Sequence, residues 1–335
     1  MSPARGRAPV VVGIDAAGSA GDAVDWASAE ASARGRPLHV VHAFQLPLPV
    51  DPYGVVPTTD GVLMARAAAE HALARAVARA RSVASDVEVS PLLLCGPPAR
   101  AVLGEATGAC LVVLGRRRRS GLRALLARSL SVQVAAHACC PVVVVPPPDC
   151  ADDLRWSPPR VVVGVDAAAT RTPAVGFAFQ AARQRGIPLV AVHAWTPDPP
   201  ADLEGVSGPC ALAQALARRT VERVLDRWRP EFTDVPVHTV LVRGDPARAL
   251  VAQSRGAALL VVGTRGRGRV LATVLGSVSQ AVQHYGDRPV AIIRYDNAST
   301  PTRPAGRVAD PAPERDHGSG HRKGPSTPRN RRWTS

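Results

Sequence analysis

The sequence predicts two doubly wound α/β domains in tandem, each a five-stranded parallel sheet flanked by helices. Short apolar runs alternate with helical patterns along the chain, the order expected of βαβ units. The order occurs twice. Val11-Val12-Gly13-Ile14-Asp15 returns as Val162-Val163-Gly164-Val165-Asp166, and Val41-His42-Ala43-Phe44 as Val192-His193-Ala194-Trp195, both displaced by 151 residues. Gly96-Pro97-Pro98-Ala99-Arg100-Ala101 returns as Gly244-Asp245-Pro246-Ala247-Arg248-Ala249, and Val112-Val113-Leu114-Gly115 as Leu260-Val261-Val262-Gly263, both displaced by 148. Four collinear matches with one small length change mean duplication. Runs apolar at every position, such as Val142 to Val145, suit strands covered on both faces.

The first domain is expected over residues 8–148, a linker over 149–158, the second domain over 159–295 and a disordered basic tail over 296–335. In the second half the pattern gives strand 161–166, a helix near 173–185, strand 189–195, a helix near 210–229 and strand 237–242. A helix near 246–255, strand 258–263, a helix near 277–285 and strand 289–294 follow. In the long helix Ala217, Val221, Val224 and Trp228 fall at helical spacing, as Ala69, Leu73, Val77, Ala80 and Ala84 do in its counterpart, which marks the core faces. Pro146-Pro147-Pro148 ends the first domain. The final strands, Val142 to Val145 and Val290 to Ile293, are expected to pack on each other, because each would otherwise leave an apolar edge exposed. The halves would then form an intramolecular pseudo-dimer, with a homodimer of whole chains left open.

Composition narrows the function. At 335 residues the chain suits two domains of roughly 100–200 residues each. Hydrophobic residues make up 46% of it, but no apolar run approaches the roughly 20 residues that cross a bilayer. The first nine residues lead straight into a strand-like run and lack the pattern of an export signal, so a cytoplasmic protein is expected. Six cysteines show neither C-x-x-C nor zinc spacing and read as reduced thiols. The net charge of +14 would suit nucleic acid, yet of 41 basic residues only Lys323 is lysine, as a compositional bias would give. From Thr300 onward eight basic residues stand against three acidic ones, 8 − 3 = +5. That segment has too few apolar residues to offset the entropy of ordering. Arg116 to Arg119 lack interleaved aromatic residues on which bases could stack, so nucleic acid is not an expected partner.

The most informative segment runs from Gly263 to Ser279, after an apolar strand and into a helix. Glycines at 263, 266 and 276 permit positive φ and close approach of a ligand to the backbone. Gly276 and Ser277 stand where a helix begins, offering free N–H groups and the positive dipole end to an anion such as phosphate. Asp166 closes the first strand of the same half, where open α/β sheets bind ligands beyond the carboxyl ends of their strands. A carboxylate repels phosphate, so Asp166 is better suited to a base, a ribose or a magnesium ion.

In these residues the chain resembles a tandem member of the universal stress protein family, over about residues 8–148 and 159–295. The family's nucleotide signature is G-x-x-G, nine residues, then G-(S/T), and Gly263, Gly266, Gly276 and Ser277 match it throughout. The resemblance implies an adenine-nucleotide site, usually for ATP with Mg2+. It assigns Asp166 to the adenine, the backbone of Ala194 to the adenine wall, Gly263 and Gly266 to ribose and phosphate, and Gly276, Ser277 and Ser279 to phosphate. Asp166 is followed by Ala167-Ala168 where the family often has Gly-Ser.

The first half aligns without gaps here, but Arg118 replaces Gly266 and Arg128 replaces Gly276, which would block the close approach. Its site reads as degenerate. His42 and His193, at matching strand ends, read as structural hydrogen-bonders. No Walker A loop, G-x-S-x-G elbow or H-E-x-x-H occurs in the folded part, and no catalytic residue is assigned. The reading is an ATP-binding regulatory module, with a slow ATP hydrolase, or a scaffold with a vestigial site, as alternatives.

Overall fold

The computed structural model describes residues 7–15, 20–45, 59–116, 129–147, 158–166, 172–195, 207–264 and 276–294. The expected tail, nearly all of the expected linker, Gly266, and Arg117 to Arg128 lie outside the described residues. The first half runs β1 (Val10–Ile14), α1 (Gly21–Arg34), β2 (Leu38–Phe44), α2 (Thr59–Val83), β3 (Val89–Cys95), α3 (Pro98–Ala106), β4 (Leu111–Gly115), α4 (Leu130–His137) and β5 (Val142–Val145). The second runs β6 (Val161–Gly164), α5 (Pro173–Arg185), β7 (Leu189–Trp195), α6 (Ser207–Leu225), β8 (Val237–Arg243), α7 (Pro246–Ser254), β9 (Leu259–Thr264), α8 (Ser277–Tyr285) and β10 (Val290–Arg294).

Within each half all strands are parallel, in the order β3-β2-β1-β4-β5 and its counterpart β8-β7-β6-β9-β10. The two five-stranded sheets merge into one sheet of ten, because β5 and β10 pair antiparallel. Val143 lies opposite Ala291, its own counterpart at displacement 148, with Val142 opposite Ile292 and Val144 opposite Val290. An approximate twofold axis therefore passes between Val143 and Ala291, perpendicular to the sheet. The pairing removes two apolar edges that would otherwise template association.

The central strands are hydrophobic at every position because both faces are covered. Val10, Val11 and Val12 are all fully buried, as are Val161, Val162 and Val163. One core holds the inward residues of α1, α2, α5 and α6, including Ala27, Leu73, Phe179 and Val221. The opposite face holds those of α3, α4, α7 and α8, including Val102, Val134, Leu250 and Val282. Both cores run across the joint between the halves. α1 and α5 end at glycines in the left-handed region, Gly35 at φ 58° and Gly186 at φ 61°, which favours a residue without Cβ. Trp228, read as part of the long helix, lies beyond it: α6 stops at Leu225 and the chain turns toward Pro230. Its indole still packs on the core, and Nε1 donates to Thr172 Oγ1 at 3.2 Å.

Candidate functional site

The switch point of the second half lies between β6 and β9, which are neighbours although three helices and two strands separate them in sequence. Each chain direction out of this point leaves a crevice at the carboxyl ends of the strands. Val165 is pinned there from two sides. Its N–H donates to the Val192 carbonyl at 2.8 Å, and its carbonyl lies 2.8 Å from His193 Nδ1. A carbonyl can only accept, so Nδ1 carries the proton and the ring serves as a strut between β6 and β7. His42 makes the matching contact to the Ile14 carbonyl at 3.1 Å. Asp166 thus leaves the sheet from a fixed point, half-buried, and takes part in an interaction of its own.

Ala194 stands on β7, opposite Val242 of β8, beside that strut. Gly263 stands on β9 opposite Ile293. Asp166, Ala194 and Gly263 therefore share the carboxyl edge of three adjacent strands. Gly276 caps α8, whose first internal bond runs from the Gln280 N–H to the Gly276 carbonyl at 3.0 Å. The N–H groups of Ser277, Val278 and Ser279 precede that bond, in the first turn where a helix has no carbonyl of its own to offer. Glycine supplies no side-chain cap. Ser277 is exposed and Ser279 is buried, 1% exposed.

Two expectations change in the structure. Gly276 has φ −60° and ψ 152°, an extended conformation open to any residue. Gly263 is likewise absent from the positive-φ glycines, which among the described residues are Gly35, Gly96, Gly186, Gly244 and Gly256. Conformational freedom is therefore not what these two positions use. A Cβ at Gly263 would meet Ala174 Cβ at 3.7 Å and the Ile293 carbonyl oxygen at 3.9 Å, ordinary contacts that the protein could accommodate. The second change concerns Ser279, whose hydroxyl donates to the Gly263 carbonyl at 3.1 Å. Its proton ties α8 to β9, leaving the backbone N–H as its remaining donor toward an anion. Sequence periodicity carries no signal for this bond between residues 16 apart.

The matching place in the first half is built differently. α4 is capped by Ser129, whose hydroxyl accepts the Val132 N–H at 3.2 Å and lies 3.1 Å from the Ser131 hydroxyl. Ser129 aligns with Ser277, so the second helix begins one residue earlier than the first. Because β5 and β10 run antiparallel, the two switch points open on opposite edges of the sheet. Each also touches the other half. Arg116, just past β4, donates to the Gln283 and His284 carbonyls at 2.9 Å, at the end of α8. Arg294, at the end of β10, donates to the Ala136 carbonyl near the end of α4. Both guanidinium groups sit at the negative end of a helix dipole.

Away from the site, burial pushes the Cys140 thiol up to about 12 and raises that of Cys110 as well. A thiol held protonated is a poor nucleophile. Cys95, Cys110, Cys139 and Cys140 are all free. Among the described residues no three His, Cys, Asp or Glu side chains converge as a metal site, and no helix is long and apolar enough to cross a membrane.

Comparison with known proteins agrees with this geometry. The family model described as "Universal stress protein family" matches residues 7–146 and again residues 159–294. A universal stress protein of Mycobacterium tuberculosis is 34% identical over 298 residues, covering 88% of this chain and 99% of its own. A second from that organism is 31% identical over 299 residues, with the same coverage. The crystal structure of a universal stress protein from Archaeoglobus fulgidus matches with a TM-score of 0.62 at 18% identity, over 85% of this chain and 96% of its own. At that identity the likeness is one of fold.

Proposed function

This chain belongs to the universal stress protein family, and from that premise we propose that it is a stress-response regulatory protein whose second half binds an adenine nucleotide. The observation that carries the reading is the amino end of α8. It is capped by glycine, begins at the carboxyl edge of β6 and β9, and closes the Gly263, Gly266, Gly276, Ser277 spacing. In this reading the N–H groups of Ser277, Val278 and Ser279 receive a phosphate, favoured by the helix dipole. Gly276 keeps side-chain atoms out of the path, while Gly263 and Gly266 let the ribose and phosphates approach. Asp166 and the Ala194 backbone face the adenine from β6 and β7.

ATP is the nucleotide the reading favours, with Mg2+ carried on its phosphates. The protein offers oxygen donors of the kind magnesium takes, Asp166 and the exposed Ser277 hydroxyl, but no converging cage among the described residues. Magnesium usually keeps waters and takes only one or two protein carboxylates at such sites. In the same reading the paired halves stand in for a two-subunit assembly, with one working site per chain. Titration calorimetry of the whole chain with ATP and Mg2+ tests this. One site per chain is expected, and a stoichiometry near two, or no binding at millimolar ATP, overturns it.

A further inference from the structure

The twofold relation between the halves is kept in most of the seam but broken at one buried acid. α1 and α5 meet across the axis on the face opposite α4 and α8. At displacement 151, Trp26 corresponds to Phe177 and Arg34 to Arg185, and these four residues obey the symmetry. The Arg34 guanidinium lies over the Phe177 ring at 5.5 Å from its centre, and the Arg185 guanidinium over the Trp26 ring at 5.8 Å. Glu30 corresponds to Ala181 and breaks it. One carboxylate serves both arginines: Oε1 accepts from Arg34 at 2.6 Å and Oε2 from Arg185 at 2.5 Å. Glu30 is 3% exposed and Ala181 is fully buried. The two arginine side chains are 10% and 22% exposed.

From this we propose that Glu30 decides which partner the second half accepts at the seam, making it fit the first half and not its own copy. Two second halves brought together by the same pairing would set Arg185 against Arg185, with alanine at both acid positions. The cations would be largely out of water with no counter-charge, the costly way to bury an ion. Two first halves would crowd a second carboxylate into the space that one now fills, but each acid would bring its own Arg34, so the charge penalty falls on a pair of second halves. Only the mixed pair supplies one acid to two arginines, and the flanking Trp26 and Phe177 then accept both guanidinium planes. The partner this surface fits is a domain with arginine at the 34/185 place, an aromatic ring at the 26/177 place and a small residue at the 30/181 place. Within one chain that partner is always present. A second copy of the chain finds the apolar β5 and β10 edges already engaged.

The seam can be read in the whole protein by hydrogen exchange, since amides of β5 and β10 exchange when the halves part. Three chains are compared: the unaltered protein, Glu30→Ala, and Glu30→Ala combined with Ala181→Glu, which moves the acid to the other side of the axis. Removing one partner of a buried ion cluster is expected to speed exchange at Val142 to Val145 and Val290 to Ile293 by about a hundredfold. β7 and β8, remote from the seam, should exchange as before. The double variant should return the seam to within about tenfold of the original protection. Unchanged seam exchange in Glu30→Ala overturns the proposal. So does a double variant that exchanges as fast as Glu30→Ala, or that fails to fold.

Discussion

The helices α4 and α8 occupy equivalent places, follow equivalent strands, and finish their first turns in opposite ways. α4 satisfies itself: Ser129 stands outside the helix and caps the Val132 N–H with its own hydroxyl. α8 does not, because its cap is Gly276 and the aligned Ser277 has moved into the helix. One substitution, arginine at 128 against glycine at 276, separates the two loops at this point. A helix start that caps itself has spent a donor that an anion would need, whereas an uncapped start keeps its first N–H groups available. Duplication supplied two equal folds, and a one-residue change in the helix start is enough to give their helix starts different caps.

The most damaging way to break this difference is to make the second half like the first. Gly276→Arg places a long side chain at the helix start, where the proposed phosphate needs close approach. It should remove several charge-assisted hydrogen bonds, each worth about 1.5–3 kcal/mol, and so abolish ATP binding at micromolar ligand. Calorimetry should show no heat of binding while the circular dichroism of the chain is unchanged. Binding that survives would mean that α8 is no more a nucleotide helix than α4.

A second contrast lies away from the site. Gly176 on α5 faces Trp228, and a Cβ there would lie 2.3 Å from the indole. The first half has Asp25 at the matching place, joined to Arg79 by bonds of 2.6 and 2.7 Å. The second half thus fills with an aromatic ring the space that the first spans with an ion pair. Gly176→Ala should force the ring from its place and lower stability by about 1–3 kcal/mol, measured by urea unfolding. Asp25→Ala breaks only an exposed pair and should cost about 0.2–1 kcal/mol. Equal losses would erase the contrast.

The duplication and the element order were legible because periodicity is a property of many residues at once. α5 and α8 fall on the expected spans, and β1 and β4 are neighbours, as are β6 and β9. The roles of His42 and His193 could be read from their apolar strands. What sequence missed depends on single tertiary contacts. The bond from Ser279 to the Gly263 carbonyl exists because α8 packs on β9, and nothing in the local pattern signals it. The glycine motif was recognisable by spacing, while its stated reason, positive φ, fails at Gly263 and Gly276. Trp228 kept the spacing of a helix that the turns before Pro230 had already ended. The Glu30 seam joins residues 155 apart, yet comparing the halves shows it as a break in the repeat.

The finest test exchanges the two serines' duties. Ser129→Ala removes a helix cap and should cost about 1 kcal/mol of stability, read as a lower urea midpoint for the chain, with ATP affinity unaltered. Ser277→Ala removes no cap, because the helix has already begun and Gly276 holds the capping position. Alanine is also a better helix former than serine by a few tenths of a kcal/mol, so the midpoint should hold or rise slightly. If the Ser277 hydroxyl donates to a phosphate as well as the backbone does, its loss should weaken ATP by about 1–2 kcal/mol, roughly five- to thirtyfold. The two aligned residues would then fail in different assays, one in unfolding and the other in binding. If Ser277→Ala instead destabilises the fold as much as Ser129→Ala and leaves affinity untouched, the two helix starts are equivalent in solution and the second half has no special claim to the nucleotide.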